Sequence, residues 1–263
     1  MRGTSGFFGD ALIICGKDLR IELRTGEIFF TAAFFAALIV IVASISFFGG
    51  VTALVPIGNA VLPWNGTPLP DGAMVRVSVQ IAPGAIWLSV TFASILALGR
   101  TWQRERDDGA LTGLLVSPIS RAAIFAGKAL GVAAFMFAVE CVVVPLVALF
   151  FAIDLTDIIG ALAAVLVLGT IGVASAGTLF GAMTARTRAR DLVLALVLFP
   201  LLLPALLCSV SATHDIITAA QNVEMRSTGA LLWEIRGWLG LLGVFDAMMT
   251  IGGIALFGAL VDD

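Results

Sequence analysis

Residues 28–48 read IFFTAAFFAALIVIVASISFF, a stretch of 21 residues without a single charged side chain. A bilayer core about 30 Å thick needs roughly 20 such residues in one helix. Further apolar stretches of that order occur at residues 81–98, 129–153, 158–183, 192–210 and 239–260. The strict apolar and polar alternation of a membrane β-barrel is absent from them. The sequence therefore predicts an all-α integral membrane protein with six transmembrane helices.

The composition of the chain agrees with lipid as its solvent. Of 263 residues, 60% are hydrophobic and 13% are charged, and the mean hydropathy is +1.07. A soluble domain has about 45–50% apolar and about 25% charged residues. The formal net charge of −3 carries no sign of a nucleic-acid partner, and we expect none.

The basic residues are distributed unequally between the two sides of these spans. Twelve of the 15 Lys and Arg residues lie before the first span or near the loops that follow the second and fourth spans. The opposite side has only Arg76, Arg226 and Arg236. Basic residues close to span ends stay in the cytoplasm. We therefore expect both termini on the cytoplasmic side of the membrane.

Residues 1–27 show an amphipathic pattern ahead of the first span. Apolar residues recur there at spacings of three and four, between charged ones. This pattern predicts an interfacial helix on the cytoplasmic surface, and a loosely ordered basic tail is the alternative. Besides Phe8 and Cys15, the residues that we assign to this helix are Leu12, Lys17, Leu19, Arg20, Leu23 and Arg24.

The chain carries little that could perform chemistry by itself. It lacks the G-x-x-x-x-G-K-[ST] loop of a nucleotide-binding site, so it cannot hydrolyse ATP unaided, and we expect no enzymatic activity. The three cysteines and one histidine lack metal-ligand spacing, and we expect no metal and no bound cofactor. We place His214 in an outer-surface loop, with a role as a single axial haem ligand as the alternative.

Two acidic residues lie within the apolar stretches. Glu140 falls near the centre of the third span, where an acidic side chain costs about 3 kcal/mol to insert. It is therefore either a neutral acid hydrogen-bonded to a neighbouring helix or a transport or gating residue. We expect Asp246 close enough to the outer interface to stay hydrated. A stripe of small residues in the fourth span predicts close helix packing, and it consists of Ala174, Gly177 and Gly181.

The loop after the second span contains an unusual concentration of charge. Residues 104–108 read RERDD and are followed by leucines at helical spacing. This pattern predicts a short amphipathic helix at the membrane surface. Such a helix can dock in a groove of a soluble partner. The alternative is a solvated loop that only fixes the topology.

Several of these segments, taken in order, resemble the haem exporter protein B family. The segments are KDLRIELRTGE at 17–27, APGAIW at 82–87, LGR at 98–100, RERDDGALTGLLVSP at 104–118, GK at 127–128, and Glu140 in the next span. The resemblance runs from about residue 17 to residue 260 and is strongest in the first 150 residues. Members of that family are the permease subunits of an ATP-binding-cassette complex in bacterial cytochrome c maturation.

The resemblance implies a type-2 ABC exporter architecture, with an elbow helix at 1–27 and a permease domain at 28–263. It implies that residues 101–117 form the coupling helix that meets the ATPase. The coupling residues are Arg104, Glu105, Arg106, Asp107, Asp108, Gly109, Leu111, Leu114 and Leu115. It also implies a haem-handling membrane protein and a periplasmic haem chaperone as partners, a homodimer in the complex, and haem as the cargo or as the load of the released chaperone.

Two other functions are open to the same sequence. One is an ABC-2 permease that exports a lipid, a drug or a polysaccharide with the same architecture. The other is a membrane scaffold that holds partner proteins and transports nothing. The identity of the proteins that co-purify with the chain distinguishes among the three.

Overall fold

The computed structural model describes residues 6–57, 60–63, 73–107, 113, 119–184, 190–221 and 227–262. In chain order the elements are α1 (Phe7–Thr25), α2 (Glu27–Ala53), β1 (Leu54–Ile57), β2 (Ala60–Pro63), α3 (Ala73–Asp107), α4 (Arg121–Phe151), α5 (Ile159–Thr184), α6 (Arg190–Ala219), α7 (Thr228–Glu234) and α8 (Arg236–Asp262). Six of these helices, α2 to α6 and α8, are long and apolar enough to cross a membrane. The prediction of a six-span helical membrane protein is confirmed.

Several helices extend beyond the apolar stretches that predicted them. α3 has 35 residues, although its apolar stretch covers only the 18 residues from Val79 to Leu96. α4 begins at Arg121 rather than at residue 129, because the Ser120 hydroxyl oxygen accepts a hydrogen bond from the Ala123 backbone N–H at 3.2 Å. Such a cap satisfies a backbone donor that the helix itself leaves open. The spanning helices therefore project past the apolar core of the bundle.

Residues 211–238, between the fifth and sixth apolar stretches, are mostly helical, so the prediction of a loop around His214 is wrong. α6 continues to Ala219, and α7 occupies much of the remainder. The reason is tertiary packing, because Ala212, Thr213 and Ile216 are fully buried at helical spacing. The Trp87 indole N–H of α3 also donates to the Thr213 hydroxyl at 2.9 Å. This part of the sequence contains many polar residues, and yet one face of its helix is buried.

A β-hairpin follows α2 in the segment between the first two spanning helices. Its two strands, β1 and β2, are antiparallel, with Leu54 opposite Pro63 and Ile57 opposite Ala60. Apart from this hairpin, the described residues form helices and their connections.

Helix α5 contacts four of the other five spanning helices, namely α3, α4, α6 and α8. Glycines along it admit large side chains from these neighbours. A methyl group at Gly169 would lie 2.7 Å from Trp87 Cζ3. Gly177 accommodates Leu98 of α3 in the same way. The prediction of close packing along the small-residue stripe is confirmed at Gly177. A close contact of the same kind occurs at Gly169, which was not part of the predicted stripe.

Candidate functional site

The predicted coupling segment begins inside a spanning helix. α3 continues without a break through Asp107, so the first seven residues of the predicted helix 101–117 are the end of α3. Arg104, Glu105 and Arg106 thus lie on the helical extension that leaves the apolar core. Gly113 is also helical. The other coupling residues, Asp108, Gly109, Leu111, Leu114 and Leu115, lie outside the residues that the structure describes.

Helix α1 is fixed to α4 by a buried ion pair. The Lys128 ammonium, only 2% exposed, donates to Asp18 Oδ2 at 2.8 Å. The other carboxylate oxygen of Asp18 lies 3.1 Å from the Lys17 ammonium. Next to Lys128, Gly127 allows α1 to approach closely, since a Cβ there would lie 2.7 Å from the carbonyl oxygen of Ala11. The GK pair at 127–128 is therefore part of the contact surface of α4 for α1.

The structure reorients the predicted faces of α1. The residues buried against the bundle are Ala11, Ile14 and Cys15, whereas Leu12 and Leu23 are exposed. Among the residues of the predicted apolar stripe, only Cys15 is buried. Gly127 of α4 packs against Ala11 and Ile14 instead, which lie on another side of α1. The predicted stripe consequently runs along the flank of the docked helix. Leu19 is half-buried there, while Arg20 and Arg24 face outward.

Burial also determines the chemistry of the Cys15 thiol. Removal from water, and secondly the Asp18 carboxylate, raise the pKa of Cys15 above its ordinary value. Both effects disfavour the thiolate, which is the reactive form of the side chain. Cys15 therefore acts as a small apolar residue in the contact between α1 and α4.

Glu140 lies deep in the bundle, and its hydrogen-bond partner belongs to α5. The side chain is 2% exposed, and its Oε1 accepts a hydrogen bond from the Thr170 hydroxyl of α5 at 2.5 Å. Among the described residues, no hydrogen-bond partner reaches the other oxygen, Oε2. The predicted hydrogen bond to a neighbouring helix is present, and one carboxyl oxygen is left over.

Replacement of Glu140 by glutamine is expected to leave the stability of the protein close to that of the wild type. The amide oxygen of glutamine can accept the Thr170 hydrogen bond as the carboxyl oxygen does. Glu140→Leu leaves the Thr170 hydroxyl without this acceptor and is expected to cost about 1 kcal/mol. The measurement is thermal unfolding of both variants in one detergent. An equal and large loss for both variants would contradict the packing role of Glu140.

Asp246 of α8 is buried, not hydrated as the sequence predicted. Its exposure is 8%, and its carboxyl group occupies the space that Gly172 of α5 leaves open. Phe245 borders the same space, with its Cδ1 atom 2.9 Å from the position of a Cβ at Gly172. Gly169 and Gly172 lie almost one helical turn apart. This spacing is the sequence signal that could have predicted the contacts of α5 with Trp87 and with Asp246.

His214 lies in α6 rather than in a surface loop, which corrects that prediction. Its Nδ1 lies 3.3 Å from Asp215 Oδ1, and the side chain is half-buried. The second oxygen of Asp215 accepts a hydrogen bond from the Trp238 indole N–H of α8 at 2.8 Å. The carboxylate therefore joins α6 to the start of α8.

The structure does not bring these candidates into one pocket. The α1 contact and the end of α3 lie at one end of the bundle, and the contact between Asp215 and Trp238 lies at the other. Glu140 follows Lys128 by twelve residues along α4, or about 18 Å of helix, and so falls between them. Among the described residues, no group of three His, Cys, Asp or Glu side chains could hold a metal ion. The candidate residues are therefore distributed along the length of the described bundle.

Comparison with known proteins agrees with this architecture. A chain named heme exporter protein B from Bradyrhizobium diazoefficiens is 28% identical over 206 residues, which cover 78% of this chain and 82% of the relative. The protein of the same name from Pseudomonas aeruginosa is 27% identical over 166 residues, covering 63% and 72%. The Escherichia coli K12 protein of that name is 34% identical over 61 residues, covering 23% and 28%.

The family comparison covers most of the membrane-spanning bundle. The matching model is described as CcmB protein, and it aligns with residues 67–251, from before the start of α3 into α8. The match includes the extension of α3, the Glu140 and Thr170 contact, and His214. It spans more than half of the chain, and this multi-pass membrane protein belongs to the CcmB protein family.

Proposed function

We propose that the chain is the membrane subunit of an ATP-driven complex that exports haem or releases a haem-loaded chaperone in cytochrome c biogenesis. The observation that carries the proposal is the family match across residues 67–251, with relatives named heme exporter protein B. Because the sequence lacks a nucleotide-binding loop, the proposal assigns ATP hydrolysis to a separate subunit.

The extension of α3 supplies a route for coupling. Arg104, Glu105 and Arg106 lie on a helix that is continuous with an apolar span, so a displacement at its charged end is transmitted into the bundle. Closure of the ATPase subunits pushes this end, and the helices rearrange around α5. The concentration of basic residues on the same side supports its assignment to the cytoplasm, where ATP is available.

The remaining partners follow from the same proposal. The complex contains two copies of this chain and two ATPase subunits in the bacterial inner membrane. A haem-handling membrane protein and a periplasmic haem chaperone complete it on the outer side. His214, the single histidine of the chain, lies near the outer end of α6. With its Nδ1 beside Asp215, it is the side chain that we propose as a contact for haem iron.

Reversing the charges of Arg104, Glu105 and Arg106 together is expected to release the ATPase subunit from the permease. The opposite charges destroy the pairing at the docking surface, and like charges in contact repel. The measurement is co-purification of the ATPase from native membranes in mild detergent, with mass spectrometry of the recovered proteins. The matched control is Arg236→Glu, which changes a charge at the opposite end of the bundle.

The proteins recovered with the wild-type chain test the cargo as well. An ATPase together with cytochrome-maturation proteins supports the haem pathway. An ATPase without them favours an exporter of another cargo. Retention of the ATPase by the charge-reversed variant, at normal permease levels, would exclude the end of α3 as the docking element.

A further inference from the structure

The outward face of α1 forms a groove with an unusual combination of side chains. It lies opposite the face that Ala11 and Ile14 bury against α4. The groove has a volume of about 520 Å³ and is open to the surroundings. Its lining, all contributed by α1, combines apolar and basic residues and includes no acidic side chain. The lining residues used below are Leu12, Gly16, Lys17, Arg20 and Arg24.

The order of these residues along the helix matches the parts of a phospholipid. Leu12, Gly16, Arg20 and Arg24 succeed one another at intervals of four, so they form a single stripe. Arg20 and Arg24 lie about one helical turn apart on α1, so both guanidinium groups can reach a single phosphate. Gly16 leaves the middle of the stripe open, since a Cβ there would have nothing within 4 Å. Leu12 continues the stripe with an apolar surface.

The position of the groove in the fold favours a lipid over a soluble anion. Gly26, in a left-handed conformation with φ of 63°, ends α1. The spanning stretch Glu27–Ser46 then begins only three residues after Arg24. Exposed Phe30 and Phe34 follow on α2 at the depth of the acyl chains. The guanidinium groups of α1 consequently lie at the level of the phospholipid phosphates.

We propose that this groove is a binding site for an anionic phospholipid, whose phosphate is held by Arg20 and Arg24. The glycerol backbone of the lipid lies over Gly16, and an acyl chain contacts Leu12. Lys17 borders the phosphate position, while its contact with Asp18 connects the lipid site to the Lys128 pair. The bound lipid therefore holds α1 from outside while α4 holds it from inside. This inference does not depend on the cargo of the complex.

The test uses the full-length chain in nanodiscs that contain phosphatidylcholine with increasing phosphatidylglycerol, and native mass spectrometry counts the retained lipid. The double variant Arg20→Gln/Arg24→Gln is expected to bind phosphatidylglycerol about 30-fold more weakly, since each basic residue near an anionic surface contributes about fivefold. Arg20→Lys/Arg24→Lys, which preserves both charges, is the matched control and is expected to retain most of the binding.

A second variant separates the groove from general surface charge. Gly16→Leu fills the stripe without changing the charge, and the open space around Gly16 lets the chain fold normally. It is expected to lose the retained phosphatidylglycerol as well. Unchanged retention in either Gly16→Leu or the double glutamine variant would overturn the proposal. Displacement of the lipid by inorganic phosphate at millimolar concentration would overturn its assignment to a phospholipid.

Discussion

Asp18→Ala is expected to lower the free energy of unfolding by about 3 kcal/mol and to release α1 from the bundle. The substitution removes the carboxylate that lies 2.8 Å from the Lys128 ammonium, and this ammonium is only 2% exposed. A buried charge that loses its counter-charge costs far more than an exposed one does. The measurement is the loss of folded protein with increasing sodium dodecyl sulfate, combined with protease digestion near α1.

Two controls isolate the buried pair. Lys17→Ala removes the other cation beside Asp18, but this side chain is 37% exposed and should matter by less than about 1 kcal/mol. The double variant Asp18→Ala/Lys128→Met removes both buried charges and is expected to recover most of the lost stability. Equal losses from Lys17→Ala and Asp18→Ala would mean that burial of the pair is unimportant for the docking of α1.

Gly253→Ala is expected to destabilise the bundle by about 1–3 kcal/mol, although it adds a single methyl group. The added Cβ would lie 2.6 Å from Phe125 Cε1 of α4. Phe125 cannot yield easily, because it is fully buried and its ring packs against Phe257 with centroids 5.7 Å apart. The measurement is thermal unfolding in detergent, followed by near-ultraviolet absorption of the aromatic side chains.

The neighbouring glycine gives a matched control for this substitution. A Cβ at Gly252 would have nothing within 4 Å, and both glycines lie in the same turn of α8. Gly252→Ala should therefore leave stability unchanged or raise it by up to about 1 kcal/mol, the difference in helix propensity between the two residues. A similar loss for both variants would point to helix propensity or flexibility rather than packing against Phe125.

The sequence determined the number and type of the spans because their signal is local. An apolar stretch as long as residues 28–48 has one stable form in lipid, a helix whose backbone groups are satisfied internally. The prediction was least accurate where helices leave the apolar core. α3 continues to Asp107 and α6 to Ala219, and polar residues in those turns carry no hydropathy signal. Tertiary contacts such as that of Trp87 with Thr213 determine where α6 ends.

The candidate site was predictable as a set of residues but not as a set of contacts. Hydropathy alone identified Glu140 as a costly intramembrane acid that needed a neighbour. It could not identify Thr170, thirty residues away, as the hydrogen-bond donor. The same limit applies to α1, whose amphipathic pattern was recognised while its docked face was assigned to the wrong residues. Gly127 decides that face, and its effect depends on a helix more than 100 residues away in sequence.

The glycines of α5 restrict the ways in which this bundle can change shape. Gly169 admits Trp87 from α3, and Gly172 admits Phe245 and Asp246 from α8. If either neighbour slid along α5 by one residue, its large side chain would meet a Cβ instead of a gap. If α3 or α8 instead tilted about these glycines, both contacts would be kept and no side chain would meet a Cβ. The glycine contacts of α5 therefore favour pivoting of α3 and α8 against α5 over sliding along it.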